Sequence, residues 1–193
     1  SGWHDDGNVA ITQIFDSWED VWLEPADYPG APVFGHAGGA VGNKFVIVDG
    51  VAVIGEKDGR RQFGAVDEAW LGEIDENDPT EIIWRRLPAH PGGALYRMAA
   101  IGDPENNRIV FYGGADNPYN YNGIGYDGEP AKASDLLFAF DLESEHWVSL
   151  GQSGRPSMDH RGLMIWDGAY WTLGGMNNNG EVIGDLVKIA IVE

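Results

Sequence analysis

The side chains with the clearest capacity for chemistry lie in one Gly- and Asn-rich segment, residues 115–134. Those that could contact a ligand are Tyr119, Asn120, Tyr121, Asn122 and Tyr126. Tyrosine rings can stack on sugar rings, while amide and carboxylate groups bond to sugar hydroxyls. A connection of this length is often functional. The alternative is a structured loop that covers a neighbouring part of the fold, with Asn and Gly serving as turn residues.

A second candidate group is cationic. His36 and His160 each stand at the start of an apolar strand pattern, and Arg97 takes a similar place in the middle of the chain. Arg155, His160 and Arg161 form a cationic cluster in this acidic chain, and that cluster could bind a carboxylate or an anionic sugar. Two other interpretations stay open: hydrogen bonds that tie strand ends to neighbouring elements, and ion pairs with the abundant Asp and Glu.

The sequence shows no signature of metal, cofactor or nucleophilic chemistry. There is no cysteine, and the five histidines lack a short metal-ligand spacing. Acidic stretches at 75–78 and 103–107 could offer oxygens to Ca²⁺, but neither matches the calcium-loop pattern and both suit tight turns. No nucleophile elbow or phosphate-binding loop occurs. We therefore predict no cofactor and no metal, and we assign no catalytic residue.

The balance of charge limits the classes of partner. The chain has 12 basic and 31 acidic residues, for a formal net charge of −19. Such a field repels phosphate backbones and anionic membranes, so nucleic acid is not an expected partner. A basic protein partner or a saline habitat would each explain the excess.

No apolar run approaches the roughly 20 residues that span a bilayer, so we predict a soluble protein without membrane insertion. The chain begins at Ser1 rather than Met, from which we expect a processed form or a fragment. A periplasmic or secreted location after processing is compatible with this, although the sequence leaves the compartment open.

Two kinds of residue recur with a shared period of roughly 60 residues, as in repeat architectures. The first is a tryptophan, and the second is a doublet of small residues. They are Trp22, Trp84 and Trp147, and Asp49-Gly50, Gly113-Gly114 and Gly174-Gly175. In repeat proteins each unit buries its apolar face against its neighbours, so we interpret these residues as structural.

Strand patterns within this period divide a single domain, 1–193, into four segments: 1–31, 32–88, 89–150 and 151–193. The β-branched and aromatic runs predict strands and no long helix. The expected strands are 9–15 and 21–23, then 36–41, 44–49, 68–74 and 82–87, then 95–101, 109–114, 136–141 and 146–150, and finally 160–166, 169–175 and 186–191. The last segment therefore lacks a fourth strand, and the first holds only late strands.

These features resemble the Kelch repeat, the blade unit of one class of β-propeller. The resemblance rests on Gly113-Gly114, on the aromatic residues Phe138 and Phe140, and on Trp147; the last unit keeps Gly174-Gly175, and the first unit departs with Asp49-Gly50. It implies an all-β fold of about three four-stranded antiparallel blades that form an incomplete ring. An open arc would expose two apolar sheet faces, so the expected partner is another propeller segment, from the same or a different chain.

The resemblance also implies the expected function, since Kelch propellers commonly present loops for protein or glycan recognition. The first hypothesis is a non-catalytic binding and assembly module. The alternative is a carbohydrate-active propeller such as a sialic-acid-type sugar mutarotase, for which Arg97, Glu129, His160 and Arg161 could be enlisted. A copper-dependent sugar oxidase is disfavoured because its chemistry requires a cysteine. A purely structural half-ring is the third possibility.

Overall fold

The computed structural model describes residues 1–160 and 162–190, and every regular element in these residues is a β-strand. The strands are β1 Gly2–His4, β2 Gly7–Val9, β3 Ile14–Asp16, β4 Val21–Leu23, β5 Ala37–Val41, β6 Lys44–Val48, β7 Val51–Lys57, β8 Arg60–Ala65, β9 Ala69–Ile74, β10 Ile82–Arg86, β11 Ala99–Asp103, β12 Arg108–Tyr112, β13 Ser134–Asp141, β14 His146–Ser157, β15 Met164–Trp166, β16 Ala169–Leu173 and β17 Leu186–Ile189. The predicted all-β fold class is confirmed.

The strands form three larger antiparallel sheets and three small hairpins. Sheet I has the order β5-β6-β9-β10, sheet II the order β11-β12-β13-β14, and sheet III the order β15-β16-β17. The hairpins are β1-β2, β3-β4 and β7-β8, and β7-β8 is inserted between the second and third strands of sheet I. Each larger sheet is thus a meander whose own strands pair in chain order, which is the simplest connectivity for antiparallel strands.

Several predicted strand boundaries need correction. The expected strand 9–15 is wrong: Val9 ends β2, which pairs with β1, and β3 begins only at Ile14 and pairs with β4. The strand expected from Leu95 begins at Ala99, because Arg97 adopts a left-handed conformation with φ 56° that breaks the extended backbone. The last expected strand runs from Leu186 to Ile189, and its predicted end, Ile191, lies outside the described residues.

Aromatic and aliphatic side chains fill the space between sheets I and II. Sheet I contributes apolar residues such as Val46 and Leu71, and sheet II contributes Phe111, Phe138 and Phe140, all buried. Trp147 packs against the three Phe rings at centroid distances of 5.9, 5.8 and 5.0 Å, and its Nε1 donates to the Pro88 carbonyl oxygen at 2.8 Å. Trp147 therefore lies between the two sheets as the repeat pattern predicts.

The innermost strands of sheets I and II approach so closely that side chains are excluded at two positions. A Cβ built on Gly102 of β11 would lie 1.7 Å from the carbonyl oxygen of Ala40 in β5. One built on Gly39 would lie 2.7 Å from the Gly102 nitrogen. The two sheets are thus in direct backbone contact along their first strands, which only glycine permits at these two positions.

The opposite face of sheet II packs on sheet III. Val110, Tyr112 and Leu137 from sheet II are buried together with Tyr170 and Ile189 from sheet III. The three sheets are therefore stacked in chain order, with sheet II covered on both faces.

The two ends of this stack expose large apolar side chains. On the outer face of sheet III, Trp166 is 63% exposed, Leu173 68% and Leu186 51%. On the β3-β4 hairpin, Phe15 and Trp22 are cross-strand partners that are 46% and 66% exposed. Trp22 is therefore largely exposed to solvent and packs on Phe15 within the hairpin. Within that same part of the chain, no helix is long and apolar enough to cross a membrane.

Candidate ligand-binding site

Long connections gather at one end of the stack, which we call the loop face. In a four-stranded meander, the connection from the second to the third strand emerges at the same end as the connection to the next sheet. Residues from these connections bury a shared cluster that includes Tyr96, Tyr119, Met158 and Met176, with Phe34 and Phe63 packed against it. The loop face is therefore held by its own small core.

One backbone arrangement occurs three times at this face. In each larger sheet, a residue before the first strand forms an isolated β-bridge with the residue that follows the small doublet after the second strand. The bridged pairs are Phe34 with Val51, Tyr96 with Ala115, and Met158 with Met176. The residue after each bridge is left-handed, with φ 64° at Gly35, 56° at Arg97 and 61° at Asp159. Arg97 therefore corresponds to Gly35 and Asp159, and the alignment of Arg97 with His36 and His160 expected from the sequence is wrong.

The Arg97 side chain is held by several neighbours. Its Nη1 donates to Asp159 Oδ1 at 3.0 Å and to the Asn120 carbonyl oxygen at 2.9 Å. Its guanidinium lies 4.7 Å from the Tyr96 ring centroid and 5.2 Å from that of Tyr119. Burial opposes its charge, but these neighbours outweigh burial and raise the pKa of Arg97 further above its usual value. Arg97 thus links the loop 115–134 to the first strands of two sheets.

A cavity of about 260 Å³ opens beside Arg97 and between the first strands of the sheets. His36, Arg97 and His160 contribute polar side chains to its wall. His36 Nδ1 is buried without a hydrogen-bond partner in the described part of the chain. Burial, with the nearby terminal amino group, lowers the pKa of His36 to about 4, so its ring is neutral at pH 7. His160 is buried and its Nε2 lies 2.8 Å from Ser157 Oγ.

The structure separates the other predicted contact residues by their exposure. Tyr119 is buried beneath Arg97, and Tyr121 is 74% exposed. Asn122 uses its side-chain oxygen to accept the Ile124 N–H at 3.2 Å, and Asn120 contributes a carbonyl oxygen to Arg97. Tyr126 is 42% exposed and packs on Phe63 at 4.4 Å, away from the cavity lining.

The cationic and aromatic predictions therefore converge only in part. Arg97 and His160 line one cavity, Tyr119 supports Arg97 from below, and Tyr121 and Tyr126 face solvent on the loop. Glu129 does not contribute to the cavity wall, and Arg161 lies outside the described residues. The covering-loop interpretation holds for Tyr119, whose ring belongs to the buried cluster.

Sequence reasoning missed a buried His–Asp pair between sheets I and II. The side chains of Asp49 and His90 are both fully buried, and His90 Nε2 lies 3.0 Å from each Asp49 oxygen. Asp49 also accepts the Leu95 N–H at 2.8 Å. The His90 ring stacks on Phe138 at 4.9 Å. The signal for this pair was present in the sequence, since Asp49 replaces the first glycine of the repeated doublet.

Asp49 keeps the backbone geometry of that glycine. Its φ is 57°, against 70° at Gly113 and 73° at Gly174. Asp is among the few residues that tolerate this left-handed conformation. Burial raises the pKa of Asp49, although the hydrogen bonds from His90 and Leu95 oppose this.

The polar atoms of the pair satisfy one another and the nearby backbone. The Gly92 N–H donates to His90 Nδ1 at 3.2 Å, which places the ring proton on Nε2, where it is donated to Asp49. Asp67 is exposed and brings a third potential ligand atom within 4.8 Å of the other two. We assign the pair to a buried polar contact that joins the two sheets.

A second polar joint lies near the turn between β11 and β12, between sheets II and III. The hydroxyl of Tyr170 donates to Asp103, and Arg108 Nε lies 3.2 Å from the same carboxylate. Burial alone would raise the pKa of Asp103, but hydrogen bonds from Tyr170, Asn106 and Arg108 lower it below its usual value. Burial and the Asp103 hydrogen bond raise the pKa of Tyr170 to about 12.

Comparison with solved structures shows a shared fold. The chain is similar to YjhT, with a TM-score of 0.67 and 18% sequence identity. The similarity covers 93% of this chain and 49% of that chain, so this chain spans about half the length of YjhT. At this identity the likeness concerns the fold alone. No family model matches the sequence, and no curated protein matches it.

Proposed function

We propose that this chain is an arc of a Kelch-type β-propeller that acts as a non-catalytic binding and assembly module. The repeat supports the proposal at backbone level. The three doublets share left-handed conformations, with φ 57° and 111°, 70° and 93°, and 73° and 103°. The three bridges that follow the same pattern at the loop face are what a radial arrangement of equivalent blades requires.

The single observation that carries the proposal is the contrast between covered and bare sheet faces. Each inner sheet face is apolar and buried by its neighbour, whereas the outer face of sheet III and the β3-β4 hairpin present Trp166, Leu173 and Trp22 to solvent. Exposed apolar surface of this kind marks an interaction site. Another propeller segment, from a second copy or a different chain, would cover both ends.

The open edge of sheet III supports the same partner. Sheets I and II each have four strands, and sheet III has three in the described residues, with β17 at its edge. The unpaired backbone groups of an edge strand accept a further strand readily. The structural likeness to about half of the YjhT chain fits an arc that needs a second arc of similar size.

Within this assembly, we assign recognition of protein or glycan to the loop face. It carries the exposed rings of Tyr121 and Tyr126 and the cavity beside Arg97. Loops on a rigid sheet scaffold are where binding residues concentrate.

Light scattering on the native assembly tests ring completion. The chain alone has a mass of 21.0 kDa, so the tagged chain purified from its native host should elute as a larger particle. Leu173→Glu places a charge on the bare face and should reduce that mass. Ile83→Glu is the matched control, because Ile83 is 66% exposed but belongs to sheet I, within the stack. The proposal would be contradicted by a folded monomer of 21.0 kDa whose mass changes with neither substitution.

One observation favours sugar mutarotation as a second candidate function. His36 places a ring that is neutral at pH 7 in the wall of the cavity that Arg97 and His160 also line. A neutral imidazole can act as a general base. Anomer exchange of N-acetylneuraminate, followed by NMR, should accelerate with the chain and slow in His36→Gln. If anomer exchange keeps its uncatalysed rate even at high protein concentration, this candidate function is excluded.

A further inference from the structure

The β7-β8 hairpin concentrates cations in an otherwise acidic chain. Lys57, Arg60 and Arg61 lie within five residues of one another, and all three are exposed. Asp58 and Gly59 form the turn, with φ 52° and 71°. Two left-handed central residues define the type I′ turn, which fixes a two-residue hairpin and holds the flanking side chains in place.

The pairing within the hairpin is unfavourable for stability alone. Lys57 is the direct cross-strand partner of Arg60, whereas Glu56 faces Arg61. Like charges directly opposite one another destabilise an antiparallel pair. Neither Lys57 nor Arg60 forms an ion pair with any residue that the structure describes. Two adjacent cations are therefore held together without an acidic partner.

A groove of about 660 Å³ runs between this hairpin and the loop 115–134. Its lining includes three cations, two carboxylates and one exposed ring: Lys57, Arg60, Arg61, Asp58, Asp127 and Tyr126. The Tyr126 ring packs on Phe63 at 4.4 Å with an interplanar angle of 34°, which fixes its orientation, and it remains 42% exposed. The groove has the size of a small-ligand site and combines a fixed aromatic plate with unpaired cations.

Four contacts limit what the groove can bind. Arg61 is already engaged, with its Nη2 3.2 Å from Asp6 and its guanidinium 5.4 Å from the Trp3 ring centroid. Asp127, also in the lining, accepts hydrogen bonds from Asn117 Nδ2 at 2.9 Å and from the Glu129 N–H at 3.0 Å, so its charge is partly satisfied within the loop. Lys57 and Arg60 are thus the cations available to a ligand.

We propose that this groove binds an acidic sugar of the hexuronate type, with its carboxylate on Lys57 and Arg60 and one ring face on Tyr126. A carboxylate matches the forked donors of an arginine, and an aromatic plate suits the C–H face of a sugar ring. An extended acidic peptide fits less well, because the surrounding chain carries a net charge of −19 and would repel it along its length. The inference rests on the proposed recognition role of the loop face.

Calorimetric titration with trigalacturonate tests the proposal, with the carboxyl-reduced trimer as the neutral control probe. We expect binding of trigalacturonate, weakening as salt screens the contact, and no binding of the reduced trimer. Arg60→Gln should weaken binding about tenfold, since it removes one charge-assisted contact. Arg86→Gln is the matched control, because it changes the net charge equally at an exposed position outside the groove.

Two further measurements separate binding from folding. Arg60→Gln relieves the like-charge pair with Lys57, so its unfolding midpoint should equal or exceed that of the unchanged chain while its affinity falls. Tyr126→Leu keeps apolar bulk on Phe63 but removes the flat ring, and should weaken binding about fivefold. Equal losses in Arg60→Gln and Arg86→Gln would show a non-specific charge effect and overturn the site.

Ligand binding at the groove and ring completion can be tested separately. A chain that assembles with a partner and binds neither trigalacturonate nor a hexa-aspartate peptide at the groove overturns the inference and leaves ring completion intact. Binding of hexa-aspartate that Arg60→Gln abolishes, without binding of trigalacturonate, overturns the sugar assignment and keeps recognition by the loop face. Trigalacturonate binding by a chain that remains a monomer supports the groove and contradicts ring completion.

Discussion

Sheets II and III are built from the same strand pattern, yet their apolar residues have different surroundings. Phe138 and Phe140 of sheet II are 1% and 0% exposed, whereas Trp166 and Leu173 of sheet III are 63% and 68% exposed. Sheet II is covered on both faces, and sheet III on one. The repeat therefore gives each sheet two apolar faces, and only the presence of a neighbouring sheet decides whether a given face is buried.

The contrast is sharpest between Phe138 and Leu173. Phe138→Ala should destabilise the chain by about 3–5 kcal/mol, because it opens a cavity beneath His90 and Trp147. Leu173→Ala should change the stability of the isolated chain by less than about 1 kcal/mol. Urea unfolding monitored by tryptophan fluorescence measures both values. Comparable losses would show that the outer face of sheet III is packed in solution.

Gly102→Ala tests the close backbone contact between sheets I and II. The added Cβ would lie 1.7 Å from the Ala40 carbonyl oxygen, so one strand must move, at a cost of about 2–3 kcal/mol. Gly162→Ala is the control at the base of sheet III, where an added Cβ meets no atom within 4 Å. Chemical denaturation should show a loss only for the first variant. A tolerated Gly102→Ala would contradict this contact.

Asp49→Ala tests the buried His–Asp contact between sheets I and II. It leaves the His90 Nε2–H and the Leu95 N–H buried without an acceptor, and should cost about 2 kcal/mol. Asp49→Gly removes the same acceptor but suits the left-handed backbone, so it should cost less by about 1 kcal/mol. Thermal unfolding of the two variants separates the loss of the hydrogen-bond acceptor from the cost of the left-handed backbone. Equal stability of Asp49→Gly and the unchanged chain would show that the His90 contact contributes nothing.

The joint between sheets II and III should give the smallest effect, and it depends on pH. The pKa of Asp103 is lowered from 3.8, so its contribution is present above that value and is lost as pH falls through the folded-state pKa. The pKa of Tyr170 is raised from 10.0 to about 12, so its contribution is present below pH 10.0 and is lost as pH rises toward 12.

Tyr170→Phe should therefore cost about 1 kcal/mol near pH 7, and the difference should shrink in acid and in strong base. Unfolding free energies measured across pH 3 to 11 check this pH dependence. Tyr121→Phe is the control, because Tyr121 is exposed. A pH-independent difference between Tyr170→Phe and the unchanged chain would contradict the assigned hydrogen bond.

Local sequence patterns predicted the strands of the three larger sheets but missed β1 and the β7-β8 hairpin. Alternating β-branched and aromatic residues located β6, β12 and β16 closely, and the small doublets marked where each second strand ends. These patterns work because strand pleating and left-handed turns depend on neighbouring residues alone. The strand predicted over 9–15 was wrong because its apolar residues divide between two hairpins with different partners.

The candidate sites could be predicted only in part. The residue types of the loop 115–134 predicted ligand contact at the surface; Tyr121 and Tyr126 are exposed, and their contact with a ligand stays a prediction. Tyr119 is buried under Arg97, and the partners of that arginine, Asn120 and Asp159, come from different segments of the chain. Spacing along the sequence carries no information on which side chain a loop turns inward.

The sequence by itself determined the all-β class, the period of the repeat and the acidic charge, because each follows from composition or from contacts between near neighbours. Only the tertiary structure decided that Asp49 meets His90, that Lys57 and Arg60 line one groove with Tyr126, and that sheet III keeps a bare face. These features join residues far apart in the chain, and their energies depend on burial and distance, which exist only once the sheets have stacked.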